Sequence, residues 1–273
     1  MTKLCDYEIM SLQDKSDRLA AYLQDRPRMM VAYSGGVDSG FLLWFCLHQA
    51  GIDAVGVLAD SPSLKRSELD EAQAFARLHS LPLDIIQTSE LQDPRYQSNP
   101  VNRCFYCKHE LFARMEERAR EAGFPFLAYG ENADDVGQHR PGRDAARQFE
   151  VLAPLQACGL HKADIRQLAS EAGLPIADKI AQPCLASRLP TGVTVDRTKL
   201  ERIEAAEAFI SHLGFRIVRV RHLEDRARVL VGRSEIPALL KPESRDLIEK
   251  KLIRLGFPLV EFCEQGYQGP SEL

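Results

Sequence analysis

The chain has 273 residues, of which 45% are hydrophobic and 27% charged, with seven cysteines and a net charge of -4. This is enough chain for one large domain or two of unequal size, and the ordinary composition excludes collagen-like or largely disordered organisation. With 39 acidic residues against 35 basic ones there is no overall positive field to hold a polyanion, so nucleic acid is a disfavoured partner.

From the N-terminus, an amphipathic helix is predicted from Glu8 to Gln24, then a buried strand in "RMMVAYSGG" that runs into a glycine turn, then a helix from Ser39 to Ala50. The alternation continues with a strand in "AVGVLA", a helix from Ser67 to His79, a strand in "LDIIQT", a helix from Phe105 to Ala122 and a strand in "FLAYG". Strands alternating with helices predict an α/β fold, a parallel sheet covered on both faces that binds ligands at the carboxyl ends of its strands. The loops beginning at Ser34, Asp60 and Gly130 then share one edge.

A helix from Lys162 to Ala172 stops at Gly173, and a loop rich in proline and glycine carries "PCLASRLPTG". Beyond it the texture changes to α+β. A helix runs from Asp196 to Leu213, "FRIVRVRHL" and "ARVLVG" alternate as strands, a helix follows from Glu243 to Leu255, and "PLVEF" is a last strand. The expected division is a domain over 1–190 and a smaller α+β domain over 191–273. Apolar runs such as "FLLWF" fall far short of the roughly 20 residues that cross a bilayer. The opening "MTKLCDYEIM" lacks the apolar core of a secretion signal, so a cytoplasmic protein with no membrane partner is expected.

"VAYSGGVDS" joins an apolar strand, two glycines that admit close approach of backbone N–H groups, and a helix whose positive end faces the same point. That is a phosphate site. It is not the Walker type, because no Gly-Lys-Ser/Thr follows. Without that lysine it suits release of pyrophosphate from ATP, with magnesium and distant basic residues offsetting charge. Ser34, Gly35, Gly36, Asp38 and Ser39 are the loop's nucleotide contacts, and Asp60 and Ser61 open the next loop on the same edge. The plainer alternative is a tight turn, with Asp38 as a helix cap.

"NRCFYCKHELF" sets Cys104 and Cys107 at C-x-x-C spacing at the start of a predicted helix, where the helix end and Lys108 favour thiolates. Metal ligation, a redox pair and chance all remain open for the pair alone. No second C-x-x-C exists, which excludes a four-cysteine zinc ribbon but not a mixed site with a histidine such as His109. Cys184, in "PCLASR", is a small core residue, a metal ligand or a consumed reagent. With the other two it makes three thiols, which on a 4Fe-4S cluster leave one iron open. Cys5, Cys46, Cys158 and Cys263 are read without a functional role, with Cys46 in the core.

Together "SGGVDS", "ADSPSLKRSEL", "NRCFYCK", "GENADDVGQHRPGRDAA", "KADIRQLASEAGLP", "PCLASR" and "VRVRH" resemble the ATP-dependent sacrificial sulfur transferases of the PP-loop ATP pyrophosphatase superfamily. These enzymes make the nickel-pincer cofactor of lactate racemase. The resemblance covers about residues 28–232. It implies a PP-loop domain with a smaller C-terminal sulfur-transfer and oligomerisation domain, ATP and Mg2+ as cofactors, and a homo-oligomer, a hexamer in the family. It implies a substrate too, pyridinium-3,5-biscarboxylic acid mononucleotide, adenylated on its carboxylates and converted to thiocarboxylates. In the single-cysteine version Cys184 matches the residue that gives up its sulfur. This chain departs from that version through Cys104 and Cys107, and relatives with three cysteines imply a cluster-bound sulfide on Cys104, Cys107 and Cys184, the source favoured here.

Asn132, Asp134 and Asp135 follow a predicted strand at the ligand edge and are candidates for nucleotide or magnesium, against the plainer reading of a capped polar turn. Arg219 and Arg221, two apart on a strand, share one face and make a clamp for the phosphate or carboxylates of a mononucleotide, as the resemblance favours over a solvated sheet face. Arg188 and Arg143 are weaker candidates for substrate, while His139 and His222 are unassigned. The competing readings are a PP-loop tRNA thiolase, an ammonia-using amide synthetase, which leaves the three cysteines idle, and a non-enzymatic iron-sulfur or zinc protein.

Overall fold

A computed structural model describes residues 10–137 and 141–267. Cys5, His139 and the expected start of the first helix at Glu8 lie outside the described residues. In chain order the elements are α1 (Leu12–Gln24), β1 (Arg28–Tyr33), α2 (Val37–His48), β2 (Asp53–Asp60), α3 (Arg66–Leu78), β3 (Leu83–Gln87), α4 (Pro94–Gln97), α5 (Arg103–Ala122) and β4 (Phe126–Tyr129). They continue with α6 (Gly142–Gln148), α7 (Pro154–Ala157), α8 (Lys162–Glu171), α9 (Arg197–His212), β5 (Val218–Leu223), β6 (Arg226–Val231), α10 (Ile236–Leu239), α11 (Pro242–Arg254) and β7 (Val260–Phe262). The long elements begin and end within a few residues of the sequence expectation. The short α4, α6, α7 and α10 were not expected, because one or two turns carry no readable period.

The chain forms two compact units. One takes in the chain through Asp60, Glu68–Thr88 and Lys108–Ala181; the other takes in Ser61–Ser67, Ser89–Cys107 and the chain from Gln182 onward. The first unit has a four-stranded sheet in the order β3-β2-β1-β4, parallel throughout. Its central strand β1 buries every residue from Met29 to Tyr33, and α2 sinks Phe41, Leu42, Leu43 and Cys46 into the same core. Strands buried on both faces are what a parallel sheet covered by helices demands. The chain leaves β1 in one direction to β2 and reaches β4 on the other side, so the carboxyl end of β1 is the switch point where such sheets bind ligands.

The second unit has a three-stranded sheet in the order β5-β6-β7, with β5 and β6 an antiparallel hairpin and β6 parallel to β7. Val218, Val220, Val229 and Val231 share a core with Leu200, Ile203 and Ile210 of α9 and with Ile248 and Leu252 of α11. Helix α9 starts where expected because Asp196 caps it, its carboxylate accepting from the Lys199 N–H at 2.8 Å. Tyr96, Leu185 and Ala186 belong to the same core, so apolar packing anchors the residues that follow Cys184.

Candidate active site

The glycine turn of "SGGVDS" occupies the switch point of the first unit. Strand β1 ends at Tyr33, α2 begins at Val37, and Ser34, Gly35 and Gly36 make the turn. Gly35 has φ +70°, and a Cβ there would lie 2.5 Å from the Cβ of Ala72, so both backbone and space require glycine. No side chain caps α2 at Gly36. The leading amides of its first turn have no acceptor within the helix and so can serve an anion. The Ser34 hydroxyl pairs with that of Ser39 at 3.0 Å, and the Ser39 hydroxyl accepts from the Ser34 N–H at 3.1 Å, closing the turn.

Asp38 lies in the first turn of α2, and Lys162 Nζ donates to both of its carboxylate oxygens at 2.8 Å. Asn132 Nδ2 reaches Asp38 Oδ2 at 3.4 Å. Asp134 accepts from the Lys162 backbone N–H at 2.7 Å and pairs with His161 Nδ1 at 2.6 Å. The Lys162 amide and then His161 hold the Asp134 carboxyl below the ordinary aspartate value. Asn132 also caps the short turn of Ala133–Asp135, its Oδ1 accepting from the Asp134 N–H at 2.9 Å, while Asp135 accepts from the Asn132 N–H at 3.2 Å. Arg143 is engaged inside the unit, donating Nε to Glu131 at 2.7 Å. Asp60 accepts from Gln87 Nε2 at 2.6 Å.

Lys162 was absent from the sequence candidates. The sequence implies distant basic residues without naming them, and this one stands 124 residues beyond Asp38 in the chain. Its signal was present as the first residue of "KADIRQLASEAGLP", at the N-terminal end of α8.

The second unit holds the thiols. Cys184 precedes the turn of Leu185–Arg188 and its thiol is exposed, as is that of Cys104, while Cys107 is half-buried. Helix α5 starts two residues earlier than expected, at Arg103, which places Cys104 and Cys107 three apart on one helical face. Between the helix and the loop stands Arg103. Its Nη2 points to Cys184 Sγ at 3.9 Å, and its Nη1 donates to Asn99 Oδ1 and to the Ala186 carbonyl at 2.7 Å each. Burial pulls the Arg103 pKa down, and the sulfurs of Cys184 and Cys104 with Tyr96 more than reverse it. Tyr96 is buried with its hydroxyl 2.6 Å from that of Ser63, and burial, then Cys184 and Cys107, push its pKa up.

Arg188 is 1% exposed. Its Nε and Nη2 meet the two oxygens of Glu207 at 2.8 and 3.0 Å, and Nη1 donates to the Cys184 carbonyl at 2.9 Å. Glu207 also accepts from the Val220 N–H at 2.9 Å and pairs with Lys65. Burial pushes the Glu207 carboxyl up, but the charges of Arg188 and Lys65 outweigh it and hold the pKa below the ordinary value. Arg219 is buried too, donating to Gln182 Oε1 at 2.8 Å and the Val218 carbonyl at 2.9 Å, with its guanidinium over the Tyr267 ring. Burial and then Arg188 lower its pKa. Arg221 is half-buried on the same strand. Ser61 donates to Glu90 and accepts from the Ser63 N–H at 3.0 Å.

Among the described residues no group of three or more His, Cys, Asp or Glu side chains is set to hold a metal ion. No helix among them is long and apolar enough to cross a membrane. Cys46 is fully buried in α2, and burial drives its thiol up to about 12, so it is inert packing. Cys158 is buried as well, and Cys263 is half-buried.

The chain is 30% identical over 259 residues to pyridinium-3,5-bisthiocarboxylic acid mononucleotide synthase of Lactiplantibacillus plantarum, a match that spans 94% of this chain and 93% of that protein. The chain belongs to this synthase family. A second similar protein, uncharacterized, from Synechocystis sp., is 35% identical over 94% of this chain and 96% of its own length. GMP synthase (glutamine-hydrolyzing) of Thermus thermophilus is 30% identical over 215 residues, 69% of this chain and 41% of that enzyme. That likeness supports the PP-loop fold for the parallel-sheet unit of this synthase-family chain. No family model matches the chain. The two relatives with assigned activities are both enzymes.

Proposed function

We propose that this chain is an ATP-dependent sulfur transferase that converts the carboxylates of pyridinium-3,5-biscarboxylic acid mononucleotide into thiocarboxylates, releasing AMP and pyrophosphate. What supports the reading is the likeness to the bisthiocarboxylic acid mononucleotide synthase over 94% of the chain, with Cys184 facing Arg103 at the start of the helix that carries Cys104 and Cys107 in a chain that also carries the glycine turn at the switch point of its parallel sheet. An amide synthetase has no use for three such thiols.

In the first step a substrate carboxylate oxygen attacks the α-phosphorus of ATP and pyrophosphate leaves. The amides of the Ser34–Ser39 turn hold the phosphates, and Lys162 balances the charge that develops on them. Asp38 and Asn132 offer hard oxygen atoms and would hold magnesium, which screens the phosphate charge when bound. In the second step a sulfur nucleophile attacks the acyl carbon and AMP leaves, since adenylation has turned a poor leaving group into a good one. Arg219 and Arg221 bind the anionic groups of the mononucleotide.

Three thiols with a guanidinium beside them have the chemistry of a 4Fe-4S site, although they are not drawn together for a single ion. Cys104, Cys107 and Cys184 would hold the cluster. Such a cluster supplies a sulfide on its open iron, which spares the polypeptide. The other source is Cys184 itself: after its sulfur has formed the thioester, loss of the Cα proton and cleavage of the Cβ–S bond leave dehydroalanine at 184 and a thiocarboxylate on the substrate.

Anaerobic purification with iron and sulfide assay, then intact mass before and after one turnover, tests the proposal. Thiocarboxylate product with bound iron and unchanged polypeptide mass supports the cluster source, and loss of the mass of hydrogen sulfide supports Cys184 as donor. Pyrophosphate release without any thiocarboxylate defeats the proposal. The homo-oligomer that the family implies is read by sedimentation of the same sample.

A further inference from the structure

Arg103 has no part in the sequence argument, yet it is where the thiol-bearing segments of the second unit meet. It opens α5, immediately before Cys104, and its two terminal nitrogens serve different segments. Nη1 fixes the backbone of the Cys184 loop through the Ala186 carbonyl at 2.7 Å and ties back to Asn99 Oδ1, also at 2.7 Å. Nη2 faces Cys184 Sγ at 3.9 Å, and Cys104 is the next residue of the same helix. Asn99 is itself held to the loop, its Nδ2 donating to the Pro190 carbonyl at 2.7 Å, in a backbone conformation with φ +51°. An asparagine tolerates that conformation better than most side chains, and here it places the side chain between Arg103 and the loop.

The geometry points to Arg103 as a positioning residue for sulfur delivery: it ties the Cys184 loop and its sulfur to the start of α5, so that Cys184 is held beside the helix end that carries Cys104 and Cys107. The inference rests on the sulfur-transfer reading above. Two physical terms support it. A fixed cation offsets the mutual repulsion of thiolates collected at one point, or the negative charge of a cluster that they hold. The planar fork of an arginine reaches a carbonyl and a sulfur at once, which a lysine ammonium on a flexible stem cannot do with the same geometry.

The test uses the full chain, stripped of iron by chelation in air and then reduced, and the thiol-bridging reagent dibromobimane, which fluoresces only when both of its ends have reacted. Peptide mapping reads which cysteines are bridged. In the wild type, Cys184 is expected to be bridged to Cys104 or Cys107. In Arg103→Gln that bridge is expected to slow by about tenfold, the size of effect that follows from losing a charge-assisted contact, while any Cys104–Cys107 bridge within α5 keeps its rate. Arg103→Lys is expected to fall between the two, with kcat for thiocarboxylate formation reduced and KM for ATP within about twofold of wild type, because an interaction needed only after adenylation is the one lost. Circular dichroism and the thermal midpoint identify a variant that has merely failed to fold, in which case Arg103→Lys alone decides.

A wild type that gives no bridge to Cys184, or an Arg103→Lys variant with wild-type bridging and wild-type kcat, overturns the inference. If wild-type protein makes no thiocarboxylate but the bridge still depends on Arg103, the sulfur-transfer reading fails while Arg103 stands as the organiser of the thiols. The two failures are thus distinguishable.

Discussion

Arg188 and Glu207 form a two-point ion pair inside the second unit, with Nε to Oε1 at 2.8 Å and Nη2 to Oε2 at 3.0 Å, and both side chains are nearly without solvent contact. The arginine of "PCLASR" is a weaker substrate candidate in the sequence; in the fold its guanidinium serves Glu207 and the Pro183 and Cys184 carbonyls, so it holds the backbone on which the Cys184 thiol stands.

Breaking a buried pair from one side leaves the other charge stranded, and this costs more than removing both. Arg188→Met is therefore expected to destabilise the protein by about 3 kcal/mol, the lower end of the range for such pairs because Lys65 and the Val220 amide still serve Glu207. Arg188→Met combined with Glu207→Leu should cost less than the two single changes added together. Urea unfolding of the four proteins checks this, and strictly additive losses contradict the pairing.

A second expectation concerns acid. His222 is 4% exposed, stands edge-on to Phe257 at 5.2 Å, and its ring nitrogens have no partner beyond its own backbone. Burial, then Arg202 and Lys199 on α9, lower its pKa below the ordinary 6.5, with Asp196 pulling weakly the other way. The folded state thus binds fewer protons than the unfolded state in the window below pH 6.5. Stability is fully present above that value and is lost as pH falls toward the depressed folded pKa. His222→Leu keeps the packing and removes the titration, so the fall in thermal midpoint between pH 7.5 and 5.5 should be smaller than in wild type. An undiminished fall would assign the acid loss to other groups.

Much of this was legible in the sequence. The alternation of long strands and helices was read to within a few residues, because β1 and α2 are strongly apolar and the amphipathic α3 and α5 carry clear periods. "SGGVDS" disclosed the phosphate turn for a local reason, since strand, glycines and helix start all lie within nine residues. The thiols could be chosen but not placed. Arg103 looked like one more basic residue in "NRCFYCK", and Glu207 looked like one polar position on an amphipathic helix. Partners such as Arg188 and Glu207 lie 19 residues apart, and Lys162 and Asp38 lie 124 apart. No periodicity links such pairs, since only the folded chain sets their distance.

Gly130 makes a third prediction, drawn from crowding alone. A Cβ at this position, just past the end of β4, would sit 2.6 Å from the Ser39 backbone nitrogen and 2.9 Å from the Asp38 carbonyl carbon. Because both are backbone atoms, the start of α2 would have to move away from the sheet. Gly130→Ala is expected to cost about 1–3 kcal/mol as an overpacked contact and to weaken binding of a nonhydrolysable ATP analogue by about tenfold, since the amides that hold phosphate are the ones displaced. Calorimetric titration against the analogue reads the second effect, and unchanged affinity would show that the α2 amides do not hold the nucleotide.

The last prediction follows from the ion pair at the nucleotide loop. Lys162 Nζ sits 2.8 Å from both oxygens of Asp38, while Asn132 reaches the same carboxylate. Without nucleotide the lysine neutralises the aspartate. With nucleotide and magnesium the proposed mechanism has Asp38 hold the metal ion, which frees Lys162 to face the phosphates. The lysine then works most where negative charge grows, on the pyrophosphate as it departs, so its loss should weigh on turnover as well as on binding. Lys162→Met is accordingly expected to slow pyrophosphate release by about 100-fold, comparable to the removal of one preorganised donor, and to raise KM for ATP by a smaller factor. Asp38→Asn should lower the apparent affinity for magnesium, a change that Lys162→Met does not make. The measurement is pyrophosphate release at varied ATP and magnesium; if Lys162→Met raises KM alone and leaves kcat intact, the lysine binds ground-state nucleotide and has no share in the departure of pyrophosphate.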